Sequence, residues 1–355
     1  MHPAMDKMHG PGARCSKELQ VDVKDGQGSL LLSSFVGDRW SNLFIIFPSC
    51  FQLHEAVDLK LLWVTAIGDW LNLVFKWILF GERPYWWVHE TPYYSNTSVP
   101  HIEQFPMTCE TGPGSPSGHA MGAAGVYYAM VTSILTIMLS RKTTATTNRL
   151  YLRGTLWTLF WTVQICVCLS RVFLAAHFPH QVIAGVISGM IVAEVFNRQR
   201  WIYYASLQRY FNITLFLLAF AVGFYVLLKA VGVDLLWTLE KAQTWCVNPA
   251  WVHLDTTPFA SLLRNMGTLF CLGLGLHSPL YTESKKSSNA IDIITCFIAF
   301  LLLLHLFDSI KPPTHTDALF YLLSFCKSAT VPLVTVSIIP YCVSGAMSLP
   351  SKKHL

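Results

Sequence analysis

The sequence predicts an all-α polytopic membrane protein, and three observations carry that prediction. Of its 355 residues, 53% are hydrophobic and only 13% charged, with a mean hydropathy of +0.43, more apolar surface than a soluble domain of this length buries. Apolar runs long enough to cross a bilayer, about 20 residues at helical rise, recur from residue 30 to residue 343. Basic residues gather in alternate connections between those runs, the asymmetry of a multi-pass chain. Those connections account for the net charge of +5, and nothing in it supports nucleic-acid binding.

The first 29 residues are polar and carry no apolar core after a basic start, so no cleavable signal peptide is expected and the first span serves as signal. Nine transmembrane helices are expected, at 30–52, 58–80, 118–139, 150–171, 179–197, 210–231, 257–277, 289–308 and 317–343. Asp38 and Arg39 interrupt the first, and Lys311-Pro312-Pro313 is a hard stop between the last two. No repeat of fixed period appears, and the chain reads as a single integral membrane domain, 1–355. Most of the ten cysteines scatter through apolar runs without CxxC spacing or His partners, so neither a disulfide framework nor a zinc site is expected.

Orientation follows from the connections. Residues 140–153 hold Arg141, Lys142, Arg149 and Arg153 and no acid, and 197–209 hold Arg198, Arg200 and Arg209, which makes both cytoplasmic. The intervening connection 81–116 carries Glu82, Glu90, Glu103 and Glu110 against Arg83 alone, and 232–256 carries Asp234, Glu240 and Asp255 against Lys241. These face the lumen. Asn96-Thr97-Ser98 is a glycosylation sequon, which must be lumenal if used. The C-terminal Lys352 and Lys353 look like the dilysine signal that retrieves membrane proteins to the endoplasmic reticulum, read only from the cytosol. An odd number of spans separates them, so 1–29 are expected to be lumenal and the tail 344–355 cytosolic.

Chemistry concentrates in the stretch Cys109–Met121, CETGPGSPSGHAM. A Ser at the N-cap, small residues that admit backbone N–H groups to a ligand, and a helix N-terminus describe an anion cradle with His119 at its lip. A Gly/Pro turn ahead of an ordinary capped helix gives the same local pattern. Two further segments favour the cradle. In the second span Asp69, Asn72 and Lys76 recur at i, i+3 and i+7 on one face of an otherwise apolar helix, where ionisable groups are costly. Lys76 either snorkels to the interface or, with Arg83 seven residues on, converges on an anion. The fourth span ends Ser170-Arg171, and His177-Phe178-Pro179-His180-Gln181 enters the fifth, with Pro179 suited to the first helical turn. The topology places Arg83, Ser117, His119, Arg171 and His177 on one side of the membrane.

Lys76-x6-Arg83-Pro84, Pro116-Ser117-Gly118-His119 and Ser170-Arg171-x5-His177 together resemble the three-part signature of the type 2 phosphatidic acid phosphatase superfamily. That implies a PAP2-type helical core. The whole chain, with its PYWW and DTTPFASL stretches and dilysine tail, resembles the glucose-6-phosphatase family of the endoplasmic reticulum. The resemblance implies hydrolysis of glucose 6-phosphate as the final step of gluconeogenesis and glycogenolysis, functional coupling to a glucose-6-phosphate transporter, and a lumenal site with the 81–116 loop over it. His177 is then the nucleophile and His119 the general acid/base, while Lys76, Arg83, Ser117, Gly118 and Arg171 bind the phosphate. Fixed cations take the place of a metal, and no cofactor is expected. The superfamily usually has Asp four residues after the nucleophile; this chain has Gln181, which leaves Gln181 itself, His180 or a residue from another span to orient His177. A lipid phosphate phosphatase and a weakly active islet-type paralogue are the alternatives of the same chemistry. A transporter lined by Asp69, Lys76, Lys229 and Asp308 is the non-enzymatic one, without a half-to-half repeat to support it.

Overall fold

The computed structural model describes residues 3–23, 27–36, 54–95, 98–140, 146–253, 257–285, 290–309 and 316–348. All regular structure among them is helical. In chain order the helices are α1 (Pro3–Asp22), α2 (Gln27–Val36), α3 (Glu55–Leu79), α4 (Pro84–Glu90), α5 (Gly118–Ser140), α6 (Thr146–Phe173), α7 (Pro179–Asn197), α8 (Leu207–Ala230) and α9 (Trp237–Trp245). Then follow α10 (Pro258–Leu276), α11 (Pro279–Ser284), α12 (Ala290–Ser309), α13 (Asp317–Leu333) and α14 (Ile339–Ser348). Local sequence explains many of the starts. Pro84, Pro179, Pro258 and Pro279 each open a helix, where a missing N–H costs nothing. Ser206 accepts from Arg209 N–H, and Thr257 from Ala260 N–H, as N-caps.

Seven helical segments among the described residues are long and apolar enough to cross a membrane: Glu55–Tyr94, Gly118–Leu139, Asn148–Phe173, Pro179–Asn197, Leu207–Ala230, Pro258–Leu276 and Leu319–Gly345. The expected count of nine is therefore not reproduced there. Most of the span at 30–52 lies outside the described residues, with α2 at its start, and the span at 289–308 corresponds to α12, whose apolar stretch is the shorter Ile294–Leu303. The last span joins α13 to α14 through a π-helical turn, Val334–Ile338. Pro332 and Pro340 flank that turn, each removing an i→i−4 donor, which favours the wider coil.

The bundle is built around α5, which packs on α7, α3 and α6; α10 in turn joins α3, α8 and α13. Its core centres on fully buried Trp63, with Trp201 and Tyr210 rings at 5.1 Å and its indole N–H donating to the Tyr210 hydroxyl at 3.3 Å. On α8, by contrast, Phe211, Leu215, Phe216, Phe220, Val226 and Leu227 are exposed, as a lipid-facing helix requires. The α5–α7 contact is backbone to backbone: a Cβ at Gly189 would stand 2.2 Å from the Met121 carbonyl oxygen. Small residues permit that approach, and it brings the two helix starts together, so that Ser117 N–H donates to the Gln181 carbonyl at 3.0 Å.

A cap of shorter elements covers this end of the bundle, and two of its features depart from expectation. No disulfide was expected, yet Cys109 is bonded to Cys246 across a sequence separation of 137. Spacing did not reveal the pair, because it joins two separate connections that meet only on folding. The polar N-terminal segment, for its part, forms a docked helix. Buried His9, Ala13, Ser16 and Gln20 fall on one face of α1; Gln20 donates to the carbonyls of Phe173 (2.7 Å) and Glu103 (3.0 Å) and accepts from Glu103 N–H. His9 stacks on Phe178 at 4.2 Å.

Candidate active site

Four helix ends and one loop build the site. At the end of α3, Phe80 takes the left-handed cap conformation (φ 45°) and donates its N–H to the Lys76 carbonyl. The chain turns there, and Gly81 accepts a bond from Gly114 N–H at 2.6 Å. Arg83, at the N-cap of α4, is thereby swung inward and wholly buried. Its Nε donates to the Gly112 carbonyl (2.9 Å) and its Nη1 to the Ala176 carbonyl (3.1 Å). Arg171, in the last turn of α6, is equally buried, with Nη1 donating to the Ser34 hydroxyl of α2 at 2.9 Å. Ala175 (φ 51°) ends that helix in left-handed conformation and directs His177 inward.

His177 is fully buried, and its Nδ1 lies 2.8 Å from the Gly114 carbonyl. A carbonyl only accepts, so Nδ1 carries the proton and Nε2 carries the lone pair. Nε2 has no hydrogen-bond partner. Gln181 makes no hydrogen bond to this imidazole. Its Oε1 accepts from Phe178 N–H at 3.1 Å and its Nε2 donates to the Glu82 carbonyl at 2.7 Å. A Cβ at Gly114 would lie 2.5 Å from that carbonyl and 2.8 Å from Gln181 Oε1. Gln181 thus holds the loops that present Gly114, and Gly114 orients the ring.

The cradle stretch runs through a cis Ser115–Pro116 bond into α5. Asn72 donates to the Pro116 carbonyl at 3.2 Å, and the Ser117 hydroxyl faces Ala120 N–H at 3.5 Å as the N-cap. Gly118 and His119 form the first turn of α5. Lys76 is half-buried in the last turn of α3, and Asp69 on the same face accepts from Asn265 of α10 at 3.0 Å. Asn96, Lys352 and Lys353 lie outside the described residues.

Arg83, His119, Arg171 and His177 meet at one point, occupied by the carboxylate of Glu110. Arg83 Nη1 donates to Glu110 Oε2 at 2.9 Å, and Arg171 Nη2 donates to Oε1. His119 Nδ1 stands 3.6 Å from Oε1 and His177 Nε2 3.7 Å from Oε2. Burial opposes ionisation of Glu110, but Arg171, Arg83, His119 and His177 outweigh it and hold the carboxyl well below the usual range. For His177, burial and then Arg83 dominate and push it down to about 3, so the ring is neutral. In the sequence Glu110 counts only as one acid of the connection 81–116; its place inside the cradle stretch, next to Cys109, is the signal that marks it. No group of three His, Cys, Asp or Glu side chains suited to a metal ion occurs among the described residues. The arrangement is an anion site of two guanidiniums and two imidazoles, one with a bare nucleophilic nitrogen.

The PAP2 superfamily model matches residues 58–205, which run from α3 through α7 and contain every side chain of this cluster. Glucose-6-phosphatase catalytic subunit 1 of Canis lupus familiaris is 59% identical over the full length of both chains, and that of Mus musculus 57%. Glucose-6-phosphatase 2 of Homo sapiens is 51% identical over 98% of this chain and 99% of its own. No solved structure matches. With identity of this order along its whole length, and the PAP2 core folded around two arginines and two histidines, the chain belongs to the glucose-6-phosphatase family of the PAP2 superfamily.

Proposed function

We propose that the chain hydrolyses glucose 6-phosphate to glucose and inorganic phosphate through a phosphohistidine on His177, at the lumenal face of the endoplasmic reticulum. The single observation that carries the mechanism is the convergence of Arg83, Arg171, His119 and His177 on one anion. With Nδ1 bonded to the Gly114 carbonyl, the Nε2 lone pair attacks phosphorus and the bond to the sugar oxygen breaks. His119 gives that oxygen a proton, then takes one from the water that cleaves the phosphohistidine and returns the imidazole. The two guanidiniums, with Lys76, the Ser117 hydroxyl and the N–H groups at Gly118 and His119, hold the equatorial oxygens as charge redistributes.

The lumenal placement rests on the charge bias of the connections and is supported by the Cys109–Cys246 bond, since disulfides persist in an oxidising lumen. In this orientation 1–29 and 81–116 are lumenal, the latter over the site, and 344–355 cytosolic. Substrate made in the cytosol must reach the lumen, hence functional coupling to a glucose-6-phosphate transporter, and the glucose released completes gluconeogenesis and glycogenolysis. Membrane lipid is the solvent of the spans.

The purified protein in micelles should hydrolyse glucose 6-phosphate in preference to phosphatidic acid, and rapid denaturation during turnover should trap phosphate on His177. His177→Ala should abolish both. Preference for phosphatidic acid, or label on His119, would overturn the proposal.

A further inference from the structure

The mechanism above leaves Glu110 without a role, although its carboxylate occupies the centre of the site. In-line attack needs phosphorus about 3–3.5 Å from the nucleophile, and Glu110 Oε2 lies 3.7 Å from His177 Nε2. Its two oxygens take a donor from each arginine, the donors that phosphoryl oxygens need. Carboxylate and phosphoryl group cannot be there together. The donor set is also larger than a carboxylate satisfies: Arg83 Nη2 is buried in the same site without a partner, and a phosphoryl group has a third equatorial oxygen to offer it.

The backbone beside Glu110 is fixed on every side. Cys109 is bonded to Cys246. The Thr108 hydroxyl donates to the Leu174 carbonyl (2.8 Å), Glu110 N–H donates to the Thr108 carbonyl (2.9 Å), and the Tyr85 hydroxyl donates to the Glu110 carbonyl (3.2 Å). The side chain alone retains some exposure, at 15%. Motion is therefore confined to its torsions.

We propose that Glu110 is an exchange carboxylate: it holds the phosphoryl position between Arg83 and Arg171, swings out as substrate enters, and returns as inorganic phosphate leaves, with the Cys109–Cys246 bond keeping it in range. The proposal rests on the reading that this site binds a phosphoryl group. Two buried guanidiniums left alone would hold phosphate tightly and release it slowly. An intramolecular anion of matching geometry keeps the arginines paired between turnovers and competes phosphate off.

Glu110→Gln keeps the shape and removes the charge. The test is equilibrium binding of labelled inorganic phosphate to the purified full-length protein, alongside KM and kcat for glucose 6-phosphate. Glu110→Gln should bind phosphate about tenfold or more tightly, the effect of losing one charge-assisted competitor, with a lower KM and a lower kcat as release slows. Glu110→Asp, which keeps the charge but draws it back, should shift phosphate binding in the same direction by less, and answers the question if Glu110→Gln does not fold. Cys246→Ser should also tighten binding. A purely structural role predicts weaker phosphate binding together with a raised KM. Unchanged or weaker binding in a folded Glu110 variant overturns the exchange while leaving the phosphatase reading intact; a wild-type protein that neither binds phosphate nor hydrolyses the ester overturns the reading itself.

Discussion

The helix bundle and the cap above it are held by different balances of apolar, polar and covalent contacts. Inside the bundle, Trp63, Leu62, Met266 and Leu269 form an apolar core and the α5–α7 contact is backbone against backbone. The cap has a smaller apolar cluster of its own, with Tyr85, Trp86, Trp87 and Phe178 buried, but polar contacts and a disulfide tie its elements together across long sequence separations. Lys241 of α9 pairs with Glu82 at 3.2 Å and Glu90 at 2.6 Å, Trp245 donates to Glu90 at 2.7 Å, and the Cys109–Cys246 bond joins the same two connections. The bundle fixes where helix ends lie, to the tolerance of close-packed backbones. The cap fixes which charges face each other between those ends. Catalysis needs both, but each fails in its own way, and substitutions should separate them.

The largest effect should come from the charges at the seam. Arg171→Lys and Arg83→Lys keep the charge and lose the fork that serves two acceptors at once. Each should reduce kcat/KM for glucose 6-phosphate by about 10²–10³-fold, with helical content by circular dichroism unchanged. Loss of helical content alongside activity would show that the arginines hold the bundle rather than the substrate.

Next comes the bundle itself. Gly189→Val adds atoms where even a Cβ meets the Met121 carbonyl oxygen at 2.2 Å, so α5 and α7 must separate. Overpacking of this kind costs about 1–3 kcal/mol or more, and thermal unfolding in detergent should show it. Activity should fall with it, because the same contact seats Ser117 against Gln181. Unchanged stability would mean that the helix pair accommodates the branch by rotation.

The contrast also explains what could be read from the sequence. Bundle helices announce themselves by apolar length, and the three signature segments by residues that have little other reason to sit at span ends. The cap has no such periodicity. The docked face of α1 is mainly His9, Ala13, Ser16 and Gln20, small or polar groups that no hydrophobic pattern reveals, with Leu19 packed beside them. Cys109 and Cys246 are partners only in three dimensions. Gln181 shows a subtler limit: its position in the motif suggested an orienter of His177, but the ring bonds to the Gly114 carbonyl, and a backbone acceptor leaves no side-chain signature. Glu110 was visible as a charge, while its role depends on four partners from separate elements.

In the cap, Cys246→Ser should lower stability by about 2–5 kcal/mol if the bond constrains the unfolded chain as disulfides of small domains do. The loss should concentrate in the cap: hydrogen exchange should rise in 104–112 and 237–246 and stay unchanged in α5 and α7. Exchange that rises uniformly would deny the separation between cap and bundle.

The smallest effect concerns acid and the docked N-terminal helix. His9 stacks on Phe178 at 4.2 Å with His180 beside both rings, and both its ring nitrogens are buried and unpartnered. Burial, and then the neighbouring His180, lower it from 6.5 to about 4, against a weaker opposing pull from Asp6. A histidine depressed on docking binds fewer protons docked than free, so the undocked form gains protons first as pH falls. The stability of the docked helix is therefore complete above pH 6.5 and declines as pH falls from 6.5 toward 4. Limited proteolysis of 3–22 across that range should show α1 releasing on acidification while the spans remain protected. His9→Phe keeps the stack on Phe178 and removes the titration, so its α1 should hold at the lower pH. If the variant releases α1 over the same range as the wild type, the acid response belongs to His180 or Asp6, and the His9 stack contributes packing alone.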